Sequence, residues 1–341
     1  MARTVSAAWK QRPEGGGRLS MGLFRGIARH GGRGVARLLL YPTTVYFLLR
    51  RAPERNASRA WLACVSGYPA TLWQVARHIH TFAATILDRV FLLSGQLKRF
   101  DVRVQGLDAL HAALSGGQGV LLFGSHLGSF EVLRVLSRER PDVKVRVVLD
   151  IGHNPVMSQL LDALNPEVAA TVIDAGQSGP TIMLEIQNAI AEGALVTLLA
   201  DRVQSGQAWL PVPFFGRDAP LPAAPWQIAS VLGVPVMLAF GLYRGGKRYD
   251  LMFESFDVGA RPARGERATR LRALVGRYAA RLEHHARQAP YNWFNFYDFW
   301  EIPDGFKHPN AQQDPAPTTV ELAGDTVAGA AHGQRDGAGH A

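Results

Sequence analysis

A single cysteine, Cys64, stands in 341 residues. That excludes an intrachain disulfide framework and a cysteine-rich zinc site, and it fits a reducing, intracellular setting. No two histidines have metal-ligand spacing, since His284 and His285 are adjacent and point apart on a helix. No metal and no resident cofactor are therefore expected. There is no Gly-x-Ser-x-Gly elbow of the hydrolase kind. Long apolar runs are missing too. The greasiest stretch, Leu38 to Leu49, has about a dozen apolar positions, is interrupted by Pro42, and lies between Arg33/Arg37 and Arg50/Arg51. A spanning helix needs about 20 residues. Arginines on both sides give no inside–outside asymmetry, and no small-residue cleavage site follows.

Acid is scarce at one end. Residues 1–60 hold 12 Lys+Arg against 2 Asp+Glu, whereas the rest of the chain is nearly balanced, with 25 against 26. All of the net charge of +9 thus belongs to the N-terminal segment. A basic segment carrying Leu38–Leu49 is too apolar for a nucleic-acid arm. It reads as a segment that dips into the cytoplasmic leaflet with its arginines on anionic headgroups. A buried helix with solvated arginines is the alternative.

The hydrophobic fraction of 47% is enough for a sizeable core. Residues 1–100 form a basic, helical, membrane-associating region in this reading. Within it, Leu72, Val75, Ile79, Phe82, Ile86, Val90 and Leu93 predict one amphipathic helix over 71–93. His78, His80 and Arg77 on that helix are read as structural, with a lipid headgroup as the alternative contact. From about Val102 the period changes. Apolar runs at 120–123, 143–149, 170–173, 194–199, 234–242 and 249–256 alternate with helical stretches near 131–137, 155–164, 180–191 and 223–232, and a long helix at 269–288 closes the pattern. This predicts an α/β domain over 101–305, with a mixed, mostly parallel sheet flanked by helices. Arg244-Gly245-Gly246-Lys247 predicts a hairpin, and so one antiparallel edge. Residues 306–341, rich in Ala, Gly, Gln and Asp without apolar period, read as a disordered tail.

Two motifs mislead. Leu114-Ser115-Gly116-Gly117-Gln118 looks like an ATPase signature, and Gly241 to Lys247 is close to a phosphate loop. Arg248 stands where the magnesium-binding hydroxyl should be, and the order of the two motifs is reversed.

The chemistry concentrates at Phe123-Gly124-Ser125-His126-Leu127-Gly128-Ser129-Phe130-Glu131. Five residues on one helix turn the chain by about 500°. His126 and Glu131 can therefore converge only if His126 sits in the turn after a buried strand and Glu131 in the first turn of the next helix. That arrangement suits a general base and an orienting carboxylate. Backbone N–H groups at Gly128 to Phe130 are candidate oxyanion donors. Two further polar segments follow, Leu199-Ala200-Asp201-Arg202 and Val212-Pro213-Phe214-Phe215-Gly216-Arg217.

In this order and spacing, the three segments resemble the bacterial lipid A biosynthesis acyltransferases of the lysophospholipid acyltransferase superfamily. The resemblance covers roughly residues 25–300. It implies a glycerolphosphate-acyltransferase-like fold, a thioester donor (acyl carrier protein, or CoA), a membrane lipid acceptor and an anionic inner-membrane surface on its cytoplasmic face. It also implies His126 as general base, Glu131 as its charge-relay partner, and Asp201, Arg202, Phe214, Phe215, Gly216 and Arg217 as substrate contacts. The run Tyr291 to Trp300 lacks the basic residues that follow the corresponding tryptophan of the family. That leaves an acceptor other than lipid A as an alternative. A lipid esterase using Ser125 or Ser129, and a non-catalytic lipid-binding module, are the readings from other classes.

Overall fold

The structure, a computed structural model, describes residues 32–136, 142–152, 155–164, 166–204, 207–260 and 263–301. The first 31 residues and the tail reading at 306–341 lie outside the described residues.

Among the described residues, four helices come first: α1 (Gly32–Leu38), α2 (Leu40–Arg50), α3 (Ala52–Ser66) and α4 (Leu72–Leu93). The predicted amphipathic helix is α4. It starts at Thr71, whose hydroxyl accepts from the Gln74 N–H while the Gln74 side chain accepts from the Thr71 N–H, a reciprocal cap that satisfies two end groups. Its buried face includes Val75, Ile79, Leu87 and Phe91. His78 is on that face and fully buried. Its Nδ1 lies 2.8 Å from Ser58 Oγ, and its Nε2 lies 2.7 Å from the Trp293 carbonyl.

The second layer is a seven-stranded sheet in the order β1-β9-β8-β2-β5-β3-β4. Its strands are β1 (Asp101–Gln105), β2 (Val120–Gly124), β3 (Val145–Leu149), β4 (Val172–Asp174), β5 (Leu195–Leu199), β8 (Val236–Gly245) and β9 (Arg248–Phe256). Between them run α5 (Leu107–Ser115), α6 (Pro155–Leu164), α7 (Gly179–Ala191) and α8 (Ala224–Leu232), and α9 (Arg267–Gln288) closes the order. Every strand pair is parallel except β8–β9. The expected α/β class and its hairpin at residues 244–247 are therefore present. The antiparallel pair is not at the edge, however, because β1, a strand too polar to stand out in the sequence, pairs parallel with β9 outside it.

A second departure is the separate two-stranded hairpin β6 (Trp209–Phe214) and β7 (Arg217–Pro222). Pro211, Pro213, Pro220 and Pro222 hide it from a strand reading, yet proline is tolerated where no ladder hydrogen bond is needed. Nor are the helices before residue 100 a module apart. Trp61, Leu62, Val75 and Ile79 belong to the same apolar cluster as Phe123, Val196 and Tyr278. Arg33 of α1 makes a two-pronged pair with buried Asp88 of α4 at 2.7 and 2.8 Å, and the Tyr249 hydroxyl of β9 donates to the same carboxylate.

Candidate active site

β2 reads Val-Leu-Leu-Phe-Gly and is buried along its whole length, as a central parallel strand must be. Its neighbour β5 runs in the same direction and in register, so that Gly124 faces Leu199, and Ala200 N–H donates to the Gly124 carbonyl at 3.0 Å. Two residues beyond each strand end stand His126 and Asp201. Parallel register alone brings together residues 75 apart in the chain, at the carboxyl end of the strands where open α/β sheets place their sites.

The pair is closely fitted. His126 Nδ1 lies 2.9 Å from Asp201 Oδ1, and the His126 backbone N–H donates to Oδ2 at 3.0 Å. The Asp201 side chain is fully buried, while the imidazole is 29% exposed. Burial works against the Asp201 charge, but His126 and Arg202 more than offset it and leave the carboxyl below its ordinary range. A carboxylate accepts, so Nδ1 carries the proton and Nε2 keeps its lone pair. Burial also lowers the His126 pKa, and Arg202 adds to this against the opposing pull of Asp201. The ring is thus neutral at neutral pH, with one nitrogen available to accept a proton.

Glu131, the expected partner of His126, lies elsewhere. Glu131 does enter the turn after His126, but Phe130–Val135 winds as a 3₁₀ segment rather than an α-helix. One Glu131 oxygen lies 2.5 Å from Arg89 Nε of α4, and the other accepts from Ser129 Oγ at 2.8 Å. Arg89 draws the carboxylate to the helix, and the carboxylate beside the His126 ring is that of Asp201, which was expected to contact substrate. The expected oxyanion donors are also partly spent. Gly128 N–H donates to the Asn292 carbonyl and Ser129 N–H to the Gly241 carbonyl, both at 2.8 Å.

That docking depends on two glycines. Gly128 has φ 81°, and a Cβ there would lie 2.1 Å from the Gly241 carbonyl oxygen; a Cβ on Gly241 would lie 2.2 Å from the Ser129 carbonyl oxygen. On its other side the loop meets the segment after α9. Leu127 bridges Trp293, and Phe294 N–H donates to the His126 carbonyl at 3.0 Å. Asn292 anchors this segment to β8, accepting from Tyr243 N–H at 2.7 Å and donating to the Tyr243 carbonyl at 3.1 Å.

Arg202, expected on substrate, holds the same segment. Its Nε donates to Asn295 Oδ1 at 2.5 Å and its Nη2 to the Phe294 carbonyl at 3.0 Å. The positioning role of residues 292–295 was missed from sequence, where Tyr291 to Trp300 read only as an aromatic packing run. The remaining expected contacts lie in the β6–β7 hairpin. Phe215 (φ 51°) and Gly216 (φ 74°) form its two-residue turn, which matches the twist of paired strands. Phe214 is fully buried against Trp61, Trp293 and Phe299, and Phe215 N–H donates to Glu283 at 2.6 Å. The Arg217 guanidinium lies 4.7 Å from the Trp300 ring centre. Phe214 and Phe215 thus pack into the core beside the site, whereas Gly216 and Arg217 are exposed.

Neither serine of the loop is placed as a nucleophile. Ser125 and Ser129 are both buried, and among the described residues neither is hydrogen-bonded to the imidazole. Also among the described residues, no three His, Cys, Asp or Glu side chains converge as a metal site.

The sequence model of a family described as bacterial lipid A biosynthesis acyltransferase matches residues 78–301, a span that contains His126, Asp201 and the 292–295 segment. No curated protein matches the chain.

Proposed function

Because this chain belongs to the bacterial lipid A biosynthesis acyltransferase family and is therefore an acyltransferase, we propose that His126 is the general base with which it moves a fatty acyl group from an acyl-carrier-protein thioester to a hydroxyl of a lipid A-type or related envelope glycolipid. The observation that carries the assignment of the base is the His126–Asp201 pair, with Nδ1 engaged and Nε2 left as acceptor.

The chemistry follows from the groups. An alcohol attacks a thioester poorly until its proton is removed during the attack. Nε2 takes that proton as the alcohol oxygen bonds to the acyl carbon. Asp201 keeps the imidazole in the right tautomer and stabilises the imidazolium, as the orienting acid of a catalytic triad does. The tetrahedral intermediate collapses by breaking the C–S bond, and the thiolate recovers the proton from Nε2. No acyl-enzyme is required, which agrees with two buried serines, neither of them hydrogen-bonded to the imidazole among the described residues. CoA is the alternative donor.

We further propose that the enzyme works at the cytoplasmic face of the inner membrane. Among the described residues, no helix is long and apolar enough to cross a membrane. Leu38, Tyr41, Val45, Tyr46 and Leu49 are nonetheless exposed, which supports a helix lying along a bilayer.

The reading is tested with purified protein, carrier-bound and CoA-bound acyl thioesters, and a detergent-dispersed glycolipid acceptor. Mass spectrometry should show the acceptor gaining one acyl group, faster with the carrier thioester. Release of free fatty acid as the only product would replace transfer by hydrolysis. Lipid profiles of a deletion strain against its parent identify the acceptor.

A further inference from the structure

Trp73 is the most exposed tryptophan of the described chain, at 77%, whereas Trp61, Trp209, Trp226 and Trp293 are buried. Its position is fixed by its surroundings. α3 ends at Gly67 in the left-handed conformation (φ 76°), and α4 begins three residues beyond Tyr68 on the reciprocal Thr71–Gln74 cap. Both ends of the corner are tied, and Tyr68, Leu72 and Trp73 still project into solvent at 76%, 56% and 77%. Side chains of this kind left in water forgo the stabilisation that burial would contribute, so a cluster of them at a tied corner marks a contact surface.

The corner does not stand alone. Trp73, Arg77 and His80 follow at i, i+4 and i+7 along one face of α4. The His80 ring lies 5.0 Å from the Tyr41 ring of α2, where the exposed row Tyr41, Val45 and Leu49 begins. An apolar and aromatic strip therefore continues from one helix to the next. Its net charge is positive: of the seven arginines in residues 32–80, Arg33 is paired with Asp88 and Arg51 with Glu54, the one acid of that span, which leaves Arg37, Arg50, Arg55, Arg59 and Arg77.

We propose that the Tyr68–Trp73 corner, continuous with the exposed face of α2, docks on an anionic lipid bilayer, with its aromatic side chains in the headgroup layer and its arginines on lipid phosphates. This deepens the membrane reading above and rests on it. Trp and Tyr, apolar in body and polar at the tip, settle at that depth. Each arginine near an anionic surface adds to the attraction. An acidic carrier protein would need the arginines but not this apolar strip. The consequence for catalysis is orientation. The next residues along α4 hold the catalytic loop's support: Arg77 lies 4.3 Å over the Tyr291 ring, and His78 bonds the Trp293 carbonyl. Docking the corner fixes how the His126 loop faces the lipid.

The test uses the full chain with vesicles of phosphatidylglycerol and phosphatidylethanolamine, some carrying brominated acyl chains, against pure phosphatidylcholine. Tryptophan fluorescence should be quenched by shallow bromines on anionic vesicles. Trp73→Phe should remove most of that quenching while vesicle partition persists. Leu72→Glu with Trp73→Glu should lower partition about tenfold or more, leaving transfer to a detergent-dispersed acceptor unchanged. Wild-type partition by the double variant would overturn the proposal. So would a changed oligomeric state or weakened carrier-protein binding at constant partition, since either would assign the strip to a protein partner. Vesicle binding needs no turnover. Trp73 quenching in a protein that transfers no acyl group would leave the surface standing and sink the acyltransfer reading of the site.

Discussion

Two imidazoles flank the same short backbone, and they do opposite things. His78 receives its neighbours on both nitrogens, Ser58 on one and the Trp293 carbonyl on the other, and it has no exposure. His126 lies against the next residue, its carbonyl accepting from Phe294 N–H, but among the described residues its ring bonds only through Nδ1, and it remains 29% exposed. Burial drives the His78 pKa down to about 4, partly countered by the carbonyl bond, so the ring stays neutral. The same force lowers the His126 pKa, but there a buried carboxylate opposes it. A histidine is made reactive less by a shifted pKa than by one nitrogen kept free and one kept oriented.

The comparison breaks first at His126. His126→Ala should lower acyl transfer by at least about 10³-fold with an unchanged circular dichroism spectrum; near-normal transfer would remove His126 as the base. Next come the two carboxylates. Asp201→Asn, which leaves the wrong tautomer, should cost about 10²- to 10⁴-fold in kcat. Glu131→Gln should cost within about tenfold, its main effect falling on the Arg89 contact. The reverse order would restore Glu131 as the orienting acid. His78→Leu should then move stability rather than chemistry. It strands a buried serine and a carbonyl, at about 2–4 kcal/mol by denaturant titration, with kcat per folded molecule nearly unchanged.

The smallest effects separate the two rings by pH. His126 accepts a proton only when neutral, and its lowered pKa means that kcat/KM should fall on acidification at a pH below the ordinary histidine value. His78 acts through folding. Its folded pKa of about 4 lies below the unfolded value of about 6.5, so the unfolded chain binds a proton first. The stabilisation is complete above about pH 6.5 and is lost as pH falls toward 4, up to about 3 kcal/mol. His78→Leu should flatten that loss in acid denaturation curves without moving the activity profile.

The alternating apolar runs carried the sheet into view, because parallel central strands such as Val120–Gly124 must be apolar on both faces. His126 was legible for the same reason, as a histidine at the end of such a run. Asp201 was noticed but not paired with His126, since that bond depends on which strand lies beside β2, and no local pattern encodes strand order. Glu131 drew the orienting role by nearness in sequence, while Arg89, which holds it, lies 42 residues earlier on a helix read only for its apolar face. The β6–β7 hairpin was hidden by its prolines. The segment at 292–295 meets the His126 loop through backbone carbonyls and amides, which every residue type supplies, and the side-chain bonds of Asn292 and Asn295 go to partners distant in sequence, so its composition could not announce it.

The Arg33–Asp88–Tyr249 contact sets where this enzyme can be cut. A shortened version starting after residue 33 would bury Asp88 with its principal counter-ion gone, and stranding a buried charge costs about 3–5 kcal/mol. A membrane-release experiment that simply removes the first fifty residues would therefore confuse detachment with unfolding. The usable trimming limit lies before Gly32, and the greasy face of α2 must be altered by substitution within an intact chain.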